Sequence, residues 1–76
     1  MEKEIRKGEV DDHFKNPHEL IITVEKGPVY DTWRGYIDGK KTTTLKKHCE
    51  DDRSYGRSTV ENQIYTALSI EVEMMR

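Results

Sequence analysis

The sequence predicts an α+β domain: a three-stranded antiparallel β-meander packed against one C-terminal amphipathic α-helix, in the order β-β-β-α. Three observations predict it. A short run rich in β-branched residues lies at 20–25, an Asp38-Gly39 pair separates two strand-like segments, and an unbroken apolar period runs through the last seventeen residues. Seventy-six residues, a third of them hydrophobic and 37% charged, suffice for one domain with a thin two-layer core.

Residues 1–18 are polar and carry both signs of charge, with Ile5, Val10 and Phe14 as the large apolar side chains after Met1. They read as an N-terminal arm, partly disordered or loosely packed through Val10 and Phe14. Asn16-Pro17 breaks any helix there, because the residue before a proline is pushed out of the α region. The domain proper is then 19–76. Its first strand is Leu20-Ile21-Ile22-Thr23-Val24-Glu25, with Leu20, Ile22 and Val24 on one face, and Gly27-Pro28 ends it in a turn. In the second strand, 29–37, Val29, Trp33 and Ile37 point to the core while Tyr30, Thr32, Arg34 and Tyr36 point away. Asp38-Gly39 suits a two-residue type I′ hairpin, which needs positive φ at both positions. Residues 40–48 return as the third strand, where the three threonines favour a sheet and Leu45 is the core residue. A polar loop at 50–57 leads to Ser58-Thr59-Val60-Glu61, a capping box that starts the helix.

On that helix Val60, Ile64, Ala67, Leu68, Val72 and Met75 form one stripe, widened by Ile70 and Met74 on one side and Tyr65 on the other. The apolar arc spans roughly 220° at ~100° per residue, more than one sheet covers. The excess predicts a second contact, with a partner protein or a second copy, through Tyr65, Ile70, Glu71 and Met74. Glu71 near the middle of the stripe asks for a cationic partner or a path to solvent.

Net charge is −2, which favours no class of partner, but residues 26–48 hold six basic side chains against two acids, a net of +4. The outward face of the sheet, with Tyr30, Arg34, Tyr36, Lys40, Lys41, Lys46 and Lys47, is therefore a candidate binding face for nucleic acid, where aromatic rings stack bases and cations meet phosphates. The acidic flanks oppose it.

Catalytic chemistry finds little support. Cys49 adjoins His48, but neighbours on a strand point to opposite faces, so a thiol–imidazole pair does not form easily. Asp11-Asp12-His13 with His18, and His48-Cys49-Glu50-Asp51-Asp52, gather metal-ligating residue types without the paired spacing of a zinc site. The five glycines are scattered and build no phosphate cradle. No cofactor and no metal are expected. The β-β-β-α order is similar to the opening half of a ribonuclease H-like fold. That family's acids would fall near Glu25 and at Gln63, so the likeness implies topology and no nuclease activity. The outer sheet face resembles that of the small three-stranded DNA-binding arms of integrases.

One cysteine allows no internal disulfide, no apolar run reaches the ~18 residues of a membrane span, and the charged start has no signal-peptide core, so a cytoplasmic protein is expected. The sequence thus predicts a small non-enzymatic binding protein, working as a homodimer on a surface of another macromolecule. In size and style it resembles the accessory and inhibitor proteins of phages and mobile elements. The alternative is a small nucleic-acid-binding module.

Overall fold

The computed structural model describes residues 1–48 and 52–74, with the backbone alone for 52–58. Four strands, β1 (Glu2–Asp11), β2 (Pro17–Glu25), β3 (Tyr30–Ile37) and β4 (Lys40–His48), precede the helix α1 (Asp52–Glu73). The strands form one antiparallel sheet in the order β1-β2-β3-β4, and α1 lies across one face. The α+β class and the C-terminal helix are as the sequence predicts; the strand count is four, not three.

The additional strand is the segment expected to be an arm. It was hidden because β1 has no apolar face to reveal it: the strand is charged on its outer side, and its inward side mixes Lys3, Ile5, Arg6, Gly8 and Val10. Its stability comes from distant partners. Arg6 lies across the Tyr65 ring, 3.9 Å from the centroid, and donates from Nη1 to Asn62 Oδ1 at 2.8 Å. Gly8 leaves room for the same ring, since a Cβ there would lie 2.5 Å from the Tyr65 hydroxyl. A bulge between Glu4 and Arg6 interrupts the pairing with β2.

The core consists of Leu20, Ile22 and Val24 on β2, Trp33 and Ile37 on β3, and Val60, Ile64, Leu68 and Val72 on α1. Strand alternation places the sheet residues as read from the sequence. The helix residues recur every four positions, so each step rotates the buried line by ~40° and the arc spans about 120°. Gly35 lets α1 approach closely, because a Cβ built there would stand 3.0 Å from both Leu68 methyls. The β3–β4 hairpin turns through Asp38 (φ 53°) and Gly39 (φ 81°), the positive pair that a type I′ turn requires.

Three local readings change. Val29 precedes β3 and is exposed; the inward position within the strand goes to Asp31, which is buried and accepts from Lys26 Nζ at 2.8 Å. The helix begins at Asp52, so residues 52–57 are helical and Ser58 lies inside α1, not at its cap. One glycine, Gly56, costs only ~1 kcal/mol in a helix otherwise free of breakers. A second bulge, at Gly35/Tyr36, sets Lys41 opposite Tyr36 and removes Thr42 from the regular ladder, where its hydroxyl donates to the Lys40 carbonyl at 3.1 Å. Cys49, Glu50, Asp51 and Met75 lie outside the described residues. Among the described residues no helix is long and apolar enough to cross a membrane.

Candidate functional site

The outer face of the sheet is divided by charge. At its β1–β2 margin, strand parity gathers Glu2, Glu4, Glu9, Asp11, Glu19 and Glu25 with one cation, Lys7, which meets Glu19; at its β4 margin it gathers Lys41, Lys46 and His48. Between them lies a closed polar network. Glu2 Oε2 accepts from the Thr23 hydroxyl and from the Tyr36 phenol, each at 2.6 Å. Arg34 Nη1 lies 2.9 Å from Glu25 Oε1 and 3.3 Å from Glu2 Oε1. The hydrogen bonds from Thr23 and Tyr36 hold the Glu2 carboxyl below its ordinary pKa, and the bond to Glu2 pushes the Tyr36 phenol up. Arg34 is pushed further up, chiefly by Glu25.

This arrangement redistributes the candidate nucleic-acid residues. Arg34 and Tyr36, central to that reading, are committed to carboxylates: both meet Glu2 of β1, and Arg34 also meets Glu25 of β2. Tyr30 is half exposed, with its ring packed edge-on against His48. Lys41 and Lys46 share the outer face with it. Lys47 has the opposite parity and stands across from buried Asp31, and Lys40 stands across from Ile37 at the hairpin.

The expected interface residues of α1 also separate. Ile70 and Met74 are exposed, at 51% and 73%, and Glu71 beside them faces solvent. Tyr65 lies ~140° around the helix from Ile70, on the β1 flank under Arg6. The Ile70 side of α1 borders a shallow groove along β4, lined by Thr43, Thr44, Leu45, Gln63, Ile64 and Ala67. Beyond that groove lies β4, the last strand in the sheet order. Two exposed apolar side chains, a groove and the last strand of the sheet thus lie on one side of the molecule.

One cluster escaped the sequence reading. His18 at the start of β2 lies between Asp38 of the hairpin and Asp12 of the β1–β2 turn, with Nδ1 2.6 Å from Asp38 Oδ2 and Nε2 2.8 Å from Asp12 Oδ2. Both partners are acceptors, so both ring nitrogens donate and the imidazolium form fits the geometry. The Asp12 and Asp38 hydrogen bonds push His18 above its ordinary pKa, and His18 holds both carboxyls below theirs. The remaining oxygens are used as well: Asp12 Oδ1 accepts from the amides of Phe14 and Asn16, and Asp38 Oδ1 from that of Glu19. Asp12 and His18 belonged to a candidate metal group. Here the two carboxylates occupy opposite ring nitrogens and do not converge, and among the described residues no three such groups are arranged to hold a metal ion. The cluster ties two turns together. A signal existed in the sequence, since Asp38 is a turn residue, but only the strand register brings it to His18.

No family model, no curated protein and no solved structure matches this chain.

Proposed function

We propose that this chain is a small non-enzymatic binding protein that acts by occupying a surface on another protein, and that it binds with the side formed by β4 and the Ile70 flank of α1. The observation that carries this reading is the pair of exposed apolar side chains, Ile70 and Met74, on the flank of α1 that borders the groove of Thr43, Leu45, Gln63, Ile64 and Ala67. Exposed apolar side chains grouped beside a groove are what a docking protein leaves uncovered. A second copy of the chain is the other occupant this flank admits, and sedimentation of the free chain over a range of concentrations separates the two: a concentration-independent monomer leaves the different partner standing.

The nucleic-acid alternative draws on Lys41 and Lys46, while its central cation, Arg34, already meets two carboxylates. The two readings separate in one comparison. The immobilised full chain is exposed to lysate of the source cells alongside Ile70→Glu/Met74→Glu and Arg34→Ala/Tyr36→Phe variants whose circular dichroism matches the parent. A protein retained by the parent and the second variant, and lost from the first, is the expected result. Loss only from the Arg34→Ala/Tyr36→Phe variant, or salt-sensitive retention of nucleic acid that it abolishes, overturns the reading.

A further inference from the structure

We infer that the Ile70 flank of α1 takes an amphipathic helix of the partner protein whose apolar stripe is bordered by lysine or arginine, a reading that rests on the β4–α1 side being the binding side. Beside its buried line, α1 leaves a second line uncovered. Gln63, Ala67, Ile70 and Met74 are all exposed and follow one another at intervals of four, three and four residues. That spacing holds side chains along one face of a helix, and it is the seam on which two helices pack. Ala67 is small enough for a second backbone to come close. Next to it the groove of Thr43, Leu45 and Ile64 encloses about 150 Å³, a recess for an apolar side chain of the incoming helix.

Charge selects the occupant. From Thr59 to Met74 the chain has three glutamates and no lysine, arginine or histidine. At ~100° per residue, Glu71 and Glu73 stand on either side of the seam, and both are exposed. They also lie in the last turn of α1, which holds no basic residue, so their charge opposes the negative end of the helix dipole. A cation brought alongside meets two carboxylates and that dipole end together. Two copies paired through this flank would gather their glutamates with no cation from Thr59 to Met74 of either. Lys41 and Lys46 are on the opposite face of the sheet from α1 and do not border the seam. The same carboxylates repel nucleic acid and anionic lipid, so the occupant is a basic-bordered helix of another protein.

The test begins with random peptides displayed on phage and selected against the immobilised full chain. The enriched peptide is synthesised with a fluorescent label and titrated by anisotropy. It should carry apolar residues at helical spacing with lysine or arginine beside them, and a proline at its centre should abolish binding. Its dissociation constant should rise at least roughly tenfold with Glu71→Lys/Glu73→Lys, and exchanging its basic residues for glutamate should restore affinity for that variant. All four substituted positions are exposed, and circular dichroism checks that each variant keeps the parent fold. Peptides that need Ile70 and Met74 but ignore both the proline and the glutamate reversals overturn the basic helix and leave the binding side standing. Peptides that bind Ile70→Glu/Met74→Glu as tightly as the parent overturn both. Failure to enrich any peptide overturns the helix. Concentration-dependent association of the free chain in sedimentation, abolished by Ile70→Glu/Met74→Glu, assigns the flank to a second copy and also overturns the proposal.

Discussion

Replacing Gly35 by alanine tests how α1 sits on the sheet. The new methyl group would lie 2.9 Å from Thr43 Cγ2 and 3.0 Å from both Leu68 methyls, so neither neighbour can stay in place. Thr43 is β-branched and stiff, and Leu68 is buried in the core. Overpacking of this kind costs about 1–3 kcal/mol, offset by up to ~1 kcal/mol from the restricted unfolded chain. A net loss of about 1–2 kcal/mol should lower Tm by about 5–15 °C in a domain of this size. Leu68→Ala alone leaves a cavity and should cost about 2–5 kcal/mol. In the double variant the Gly35→Ala methyl enters space that Leu68 vacates, so the combined loss should fall short of the sum by about 1 kcal/mol or more. Gly39→Ala is the control. Its φ of +81° costs about 1–2 kcal/mol of strain with no neighbour within 4 Å, and it should add to Leu68→Ala without coupling. Urea titrations followed by circular dichroism read all of these. If Gly35→Ala and Leu68→Ala are additive within ~0.5 kcal/mol, the two residues do not meet and the placement of the helix is wrong.

The His18 clamp makes stability depend on pH in a defined window. His18 titrates above its ordinary 6.5, so its contribution is complete below about 6.5 and is lost as pH rises through the higher folded value. Asp12 and Asp38 titrate below their ordinary 3.8, so theirs is present above about 3.8 and is lost as pH falls through the lower folded values. Tm should therefore peak between the two and fall on the alkaline side, and His18→Gln should flatten that alkaline fall; an unchanged profile contradicts the clamp. Glu2→Gln should bring the Tyr36 phenol back towards 10.0, read as the tyrosine ring-carbon shift across an alkaline titration, with the other tyrosines unmoved. Arg6→Ala removes the cation over Tyr65 and should cost about 1 kcal/mol, whereas a disordered N-terminal arm would register no loss. Trp33 is fully enclosed, with its indole N–H unpartnered among the described residues, so its fluorescence should be blue-shifted and resist acrylamide; ready quenching would place it at the surface.

What was legible in the sequence is what local pattern encodes. Leu20, Ile22 and Val24 alternate, Asp38-Gly39 demands one turn type, and Val60, Ile64, Leu68 and Val72 recur at helical spacing. What was not legible depends on partners far along the chain. β1 has little apolar period because Tyr65, Glu25 and Arg34 stabilise it from β2, β3 and α1. Tyr65 looked like surplus surface on an over-wide helix stripe, and is instead the platform on which β1 rests. Asp31 occupies an inward position that alternation assigns to an apolar residue, because Lys26 compensates its charge. For the candidate site, Ile70 and Met74 were marked by their excess over what a sheet can cover. That they flank the last strand of the sheet follows from how α1 lies across the sheet, which no local pattern encodes.

The claim that the chain docks another protein through β4 and the Ile70 flank of α1 is tested most directly by amide hydrogen exchange on the full chain, free and saturated with the captured protein. The account predicts slowed exchange in β4 and in α1 around Ile70, with β1 unchanged. Protection confined to β1, or none in either β4 or α1, contradicts it.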